Sequence, residues 1–186
     1  MNGNASGMML DTAIPEGSAR AALRGRTSAA HEGIDAAFAR FDLGDARSYG
    51  QFLEAHGRVL PTLEALLATS EALPAWRPRL ALLAEDLAVL GAEGPREPQN
   101  LPAMGAPALH GVLYVLEGSR LGGKLLARGV GEGLPSAFLS AGHEKGEWRN
   151  LLEQLDAAAA ANGAAWLDEA VAGAQFAFRL YGKAAA

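Results

Sequence analysis

Four histidines, His31, His56, His110 and His143, are the side chains best suited to hold a metal or move a proton near neutral pH. His31 stands on the stripe Leu23, Thr27, Ala30, Ile34, Phe38 and Phe41, whose steps of three and four read as one helix face. Arg24 precedes it by seven residues, which puts the cation and the imidazole on nearly one face about 10 Å apart. That separation fits the distance from the iron of a haem to its propionate edge. Taken alone it fits equally well a core histidine and an arginine snorkelling at a helix start. Further along, HGVLYVLEGSRLGGKLLARG places Gly118, Gly122 and Gly123 inside a helical pattern, with Tyr114 one turn before the first of them. A glycine inside a helix costs about 1 kcal/mol relative to alanine. Three together predict either a flat or bulky group against the backbone or helix–helix contact through small residues. Lys145 and Arg149, four apart, form a cationic helical face or, with Glu153, an ordinary solvated pair.

Other chemistries lack their parts. The chain has 186 residues and no cysteine, so disulfide scaffolds, thiolate metal sites and cysteine nucleophiles are excluded. A di-iron bundle needs Glu-x-x-His pairs, and Ser28, Leu53, Pro107 and Ser140 stand three before the four histidines. The histidines are too scattered for zinc, no nucleophile elbow serves a serine triad, and no strand or G-K-[ST] accompanies the glycines. A net charge of -5, from 16 basic and 21 acidic residues, argues against nucleic acid. The stretch Leu101 to Leu116 is too short and too broken by Pro102, Gly105 and Pro107 to span a membrane.

Residues 1–17 carry no basic side chain and are expected to form a flexible leader rather than a secretory signal; a cytoplasmic location is expected. Residues 18–186 are expected to form one all-α domain of six or more helices. Ser18 is the expected N-cap of a first helix to Phe41, and a second runs from Ala46 to Thr69 with a kink at Pro61. A third covers Trp76 to Leu90, and the Gly/Pro-rich residues 91–107 form a connection. A fourth covers Pro107 to Arg128 and bends at its glycines. A fifth spans Glu144 to Ala161, stopped by Asn162 and Gly163, and a sixth spans Ala164 to Lys183. No segment alternates with period two, so no strand is expected.

The motifs LRGRTSAAH (23–31) and YVLEGSRLGGKLLAR (114–128) together resemble the bacterial haem oxygenases, including the biliverdin-producing type associated with phytochromes. The likeness covers roughly residues 20–183. It implies a multihelical haem oxygenase-like bundle with haem sandwiched between a proximal and a distal helix. It implies His31 as axial ligand of the iron and Gly118, Ser119 and Gly122 as the catalytic distal wall. The haem-binding set it implies is Arg24, Thr27, His31, Tyr114, Gly118, Ser119, Gly122, Gly123, Lys145 and Arg149. Arg24, Tyr114, Lys145 and Arg149 would hold propionates. Ser119 replaces the aspartate of animal members, so any distal water network is anchored differently. Haem is then both cofactor and substrate, opened at a meso carbon with dioxygen to biliverdin, carbon monoxide and ferrous iron. Electrons would come from a partner such as a ferredoxin or flavin reductase, and a bacteriophytochrome could receive the pigment. Two alternatives stay open at this point: a haem carrier or sensor without turnover, and a helical interaction domain without haem. His56, His110 and His143 have no assigned role; His56 is expected in the core and His143 in a loop.

Overall fold

Helix α1 runs from Ala19 to Phe38 and opens on Ser18, whose hydroxyl accepts the Ala21 N–H at 3.2 Å. The computed structural model describes residues 18–186, and the expected leader lies outside them. Asp45 caps α2 (Ala46–Gly57) by accepting the Ser48 N–H at 2.8 Å. The single kinked helix expected around Pro61 is two helices. The chain breaks after Gly57, and α3 (Leu60–Leu67) starts afresh with the proline in its first turn, where a missing N–H costs nothing. Helix α4 (Leu80–Leu90) begins four residues later than the leucine pattern predicts. Pro78 disfavours helical backbone at Arg77, and the stretch from Pro74 to Arg79 is irregular.

Residues 92–105 contain no regular element, and α5 (Ala106–Leu126) follows, ending in one 3-10 turn at Ala127–Gly129. A short helix α6 (Ala137–Ser140), which no periodicity marks, is capped from afar: the buried Asp86 carboxylate accepts the N–H groups of Ala137 and Phe138. Helix α7 spans Glu147–Ala185 but is broken at Gly163 (φ 78°, ψ −168°), where two separate helices meet as the sequence indicates. No strand occurs among the described residues.

Side chains from all seven helices join one apolar cluster, including Leu23, Leu53, Leu63, Leu87, Leu113, Phe138 and Tyr181. Helices α1 and α5 both lie along α7 yet scarcely touch each other. The α5–α7 crossing is set by two glycines. A Cβ on Gly111 would overlap the Ala170 carbonyl, and one on Gly173 the Ala108 carbonyl, so the two backbones are in direct contact.

His56 is set among rings: Phe52 at 4.6 Å, Phe38 at 5.0 Å, Phe138 at 5.3 Å and Tyr181 at 5.5 Å between centroids. Burial pushes its pKa down to about 4, against a weaker upward pull from its bond to the Phe52 carbonyl. An unfolded histidine titrates near ~6.5, so the unfolded chain binds the extra proton between the two values. The neutral ring therefore contributes fully above pH ~6.5 and that contribution is lost as pH falls toward 4. Urea unfolding should show the midpoint falling across this window, with a smaller pH slope in His56→Phe.

Candidate functional site

Helices α1 and α5 scarcely touch each other, and each carries exposed candidate residues. On α5 the rotation of about 100° per residue puts Gly118, Leu121, Gly122 and Leu125 on one face. Beyond Gly118 that face is open: Leu121 and Leu125 are 40% and 59% exposed, and a Cβ on Gly122 would meet nothing within 4 Å. Gly–Leu–Gly–Leu is a flat apolar strip with no titratable group on it. Exposed leucines beside bare backbone are costly in water, and such a surface marks a binding face rather than a crossing with another helix.

His31 is at the edge of the α1 stripe rather than within it. Thr27 and Leu23 are buried, whereas the His31 side chain is 61% exposed, because it stands further round the helix. Its ring is held on two sides. Nδ1 lies 3.0 Å from Asp35 Oδ2 one turn on, and the ring meets Phe178 of α7 edge-on at 5.7 Å. Nε2 is thereby left as the free nitrogen. A carboxylate behind a histidine in this way fixes its tautomer and ring orientation. Arg24, also exposed, is on the same side of α1. Its charge reaches across to Tyr114 of α5: burial raises the Tyr114 phenol pKa and Arg24 pulls it back.

Four sequence-based expectations need correction. The Ser119 hydroxyl is engaged within the fold rather than free to anchor water: it donates to the Leu116 carbonyl at 2.6 Å and accepts from buried Arg79 at 2.6 Å. Gly123 faces α6, where its Cβ would come within 3.2 Å of the Leu139 carbonyl, because one residue beyond Gly122 turns it away. Thr27 is buried and its hydroxyl is spent on the Leu23 carbonyl at 2.7 Å, so it packs without offering a polar contact. Lys145 precedes α7, which starts at Glu147, so Lys145 and Arg149 do not share a helical face; Arg149 faces Glu153 at 3.7 Å in solvent.

Several positions escaped the sequence reading. Asp35 could have been found from its spacing of four after His31. Arg79 could not: it is buried, donates to the Leu116 carbonyl as well as to Ser119, and lies over the Phe138 ring at 4.9 Å. His143 is a loop residue, yet buried against Glu117 at 2.9 Å, with Arg120 on the same carboxylate. His110 bonds the Ala106 carbonyl and packs on Trp166. Among the described residues no cluster of metal-ligating side chains converges.

No family model matches the chain. The chain is 35% identical over 152 residues to a haem oxygenase of Xanthomonas campestris pv. campestris, an alignment covering 72% of this chain and 86% of that protein. It superposes with a TM-score of 0.74 on the crystal structure of the NO- and CO-bound haem oxygenase from Neisseria meningitidis, at 24% identity and over 90% of each chain, which establishes the fold. With the relative's identity spread over most of both proteins, the chain belongs to the haem oxygenase family.

Proposed function

We infer that the protein cleaves haem oxidatively at a meso carbon, giving biliverdin, carbon monoxide and ferrous iron, with electrons from a separate donor such as a ferredoxin or flavin reductase. Two observations carry this reading: an exposed, carboxylate-backed imidazole on α1, and an exposed Gly–Leu–Gly–Leu face on α5. When bound, haem supplies both the site where dioxygen binds and the carbon that is oxidised.

The chain's residues would act as follows. His31, oriented by Asp35, would hold the haem iron through Nε2. The strip around Gly118 and Gly122 would leave room for a small diatomic close to the backbone and would offer it no acidic side chain. Ser119 contributes by tying the distal helix to Arg79 rather than by touching substrate. Arg24 and Tyr114 orient the propionates through charge-assisted bonds of roughly 1.5–3 kcal/mol where the donor is charged. Lys145 and Arg149, both exposed, add only a solvent-screened positive field at the start of α7. The same reading includes a cytoplasmic site of action and a bacteriophytochrome as one receiver of the product. No helix among the described residues is long and apolar enough to cross a membrane.

Haemin titration tests the proposal. A Soret shift on binding, followed in ascorbate or a reductase system by loss of that band and growth of a biliverdin band, is the expected result. Oxygenated haem that never converts would make the protein a carrier, and no shift would remove haem altogether. Gly122→Phe puts a bulky ring on the open strip at a position where the Cβ itself meets nothing within 4 Å. It should lower turnover by at least about tenfold, corresponding to about 1.4 kcal/mol in the barrier, while haemin capture changes less.

A further inference from the structure

The α5 strip is open in front but bounded on one flank by Trp148, near the start of α7. Its ring tip comes within 3.6 Å of the position a Cβ on Gly118 would take. The indole is held between two other rings, Tyr114 at 5.7 Å and 32° and His143 at 5.7 Å and 31°. His143 is in turn fixed from behind: Nε2 bonds Glu117, and Glu117 also takes the Arg120 Nε–H at 2.9 Å. Arg120 reaches on to the backbone carbonyls of Ala141 and Arg77. Burial holds the His143 imidazole below its usual range although Glu117 pulls the other way. Behind this stack is a cavity of about 80 Å³ bordered by Trp76, Arg77, Glu117, His143 and Glu147, and the buried His143 Nδ1 has no protein partner. The residues Glu117, Gly118, Arg120, Tyr114, His143 and Trp148 thus form one unit, in which buried polar contacts fix the angle of a single indole against the bare strip. A rigid aromatic plane beside a flat apolar floor supplies an edge against which a planar ligand registers.

We propose that Trp148 is the lateral wall of the haem slot, contacting the edge of the macrocycle beside Gly118 and limiting rotation of the ring in its own plane, so that it helps select which meso carbon is oxidised. This rests on the haem-cleavage reading above. His143 and Glu117 are positioning residues that act through Trp148. Removing the indole frees an in-plane rotation and leaves the axial ligand untouched, so the consequence falls on product identity more than on capture.

The test separates this proposal from the reading it rests on. Chromatographic analysis of the biliverdin isomers from Trp148→Ala should show the ratio of major to minor isomer changed by about fivefold, equivalent to about 1 kcal/mol at 1.4 kcal/mol per tenfold. Trp148→Phe, which keeps an aromatic edge, should stay close to the parent ratio. A parent ratio in Trp148→Ala overturns the wall, whereas failure of the parent chain to bind haemin overturns the underlying reading. A readout without turnover covers the case in which the alanine variant does not fold. With zinc protoporphyrin as a redox-inert probe, the indole N–H resonance of Trp148, assigned by its absence in Trp148→Phe, should move further by ring current than those of Trp76 and Trp166. An unmoved Trp148 resonance in the presence of bound probe also overturns the proposal.

Discussion

His31→Ala should abolish the Soret signature of a histidine-ligated haem and with it biliverdin formation. Outer-shell groups alone are worth about 10–100-fold in metal affinity or activity, so loss of the ligand itself should exceed that. Asp35→Asn, which keeps the size but weakens the acceptor behind Nδ1, should fall within the 10–100-fold range. The His31 side chain is mostly exposed and contributes little to the core, so the alanine variant should melt near the parent temperature. Added imidazole should restore the Soret band in His31→Ala by entering the vacated space. Parent-like spectra in that variant, with no need of imidazole, would remove the axial assignment.

The second large effect concerns stability alone. Gly111→Ala puts a methyl group where α7 already has the Ala170 carbonyl, and the contact is between two backbones, neither of which can turn aside. Overpacking usually costs about 1–3 kcal/mol, and a clash with backbone belongs at or above the top of that range. For a chain of this length about 3 kcal/mol lowers Tm by roughly 6–12 °C. Gly122→Ala is the control, since that position is exposed and empty, and alanine's higher helix propensity should leave Tm unchanged or raise it. Equal losses in the two variants would show that α5 and α7 do not meet at Gly111.

The contrast between these two glycines also marks how far the sequence was legible. An unusual glycine content in a helical pattern said that backbone surfaces were needed, and the helical period put Gly118 and Gly122 on one face. It did not single out Gly111 and Gly173, because which glycines meet another backbone depends on the crossing of α5 with α7, and periodicity carries no crossing angle. The same limit explains Ser119 and Gly123. Each is a single residue round from the open strip, and where the boundary falls is fixed by Arg79 and Leu139, which come from distant segments. The spacing of His31 and Arg24 along one helix is local and can be read from sequence, whereas the placement of Trp148 and His143 depends on a loop folding back onto α5. The absence of strands, Ser18 as a cap and the break at Gly163 were local too, and the structure shows all three among the described residues.

That break sets a limit on dimensions. Drawn straight, the 39 residues of α7 would be a rod of about 58 Å, while a globule of this many residues measures roughly 40 Å across. Gly163 has a combination of dihedrals that essentially only glycine tolerates. One residue without a side chain therefore decides that the last fifth of the polypeptide is two short beams inside the molecule's girth rather than one projecting beyond it.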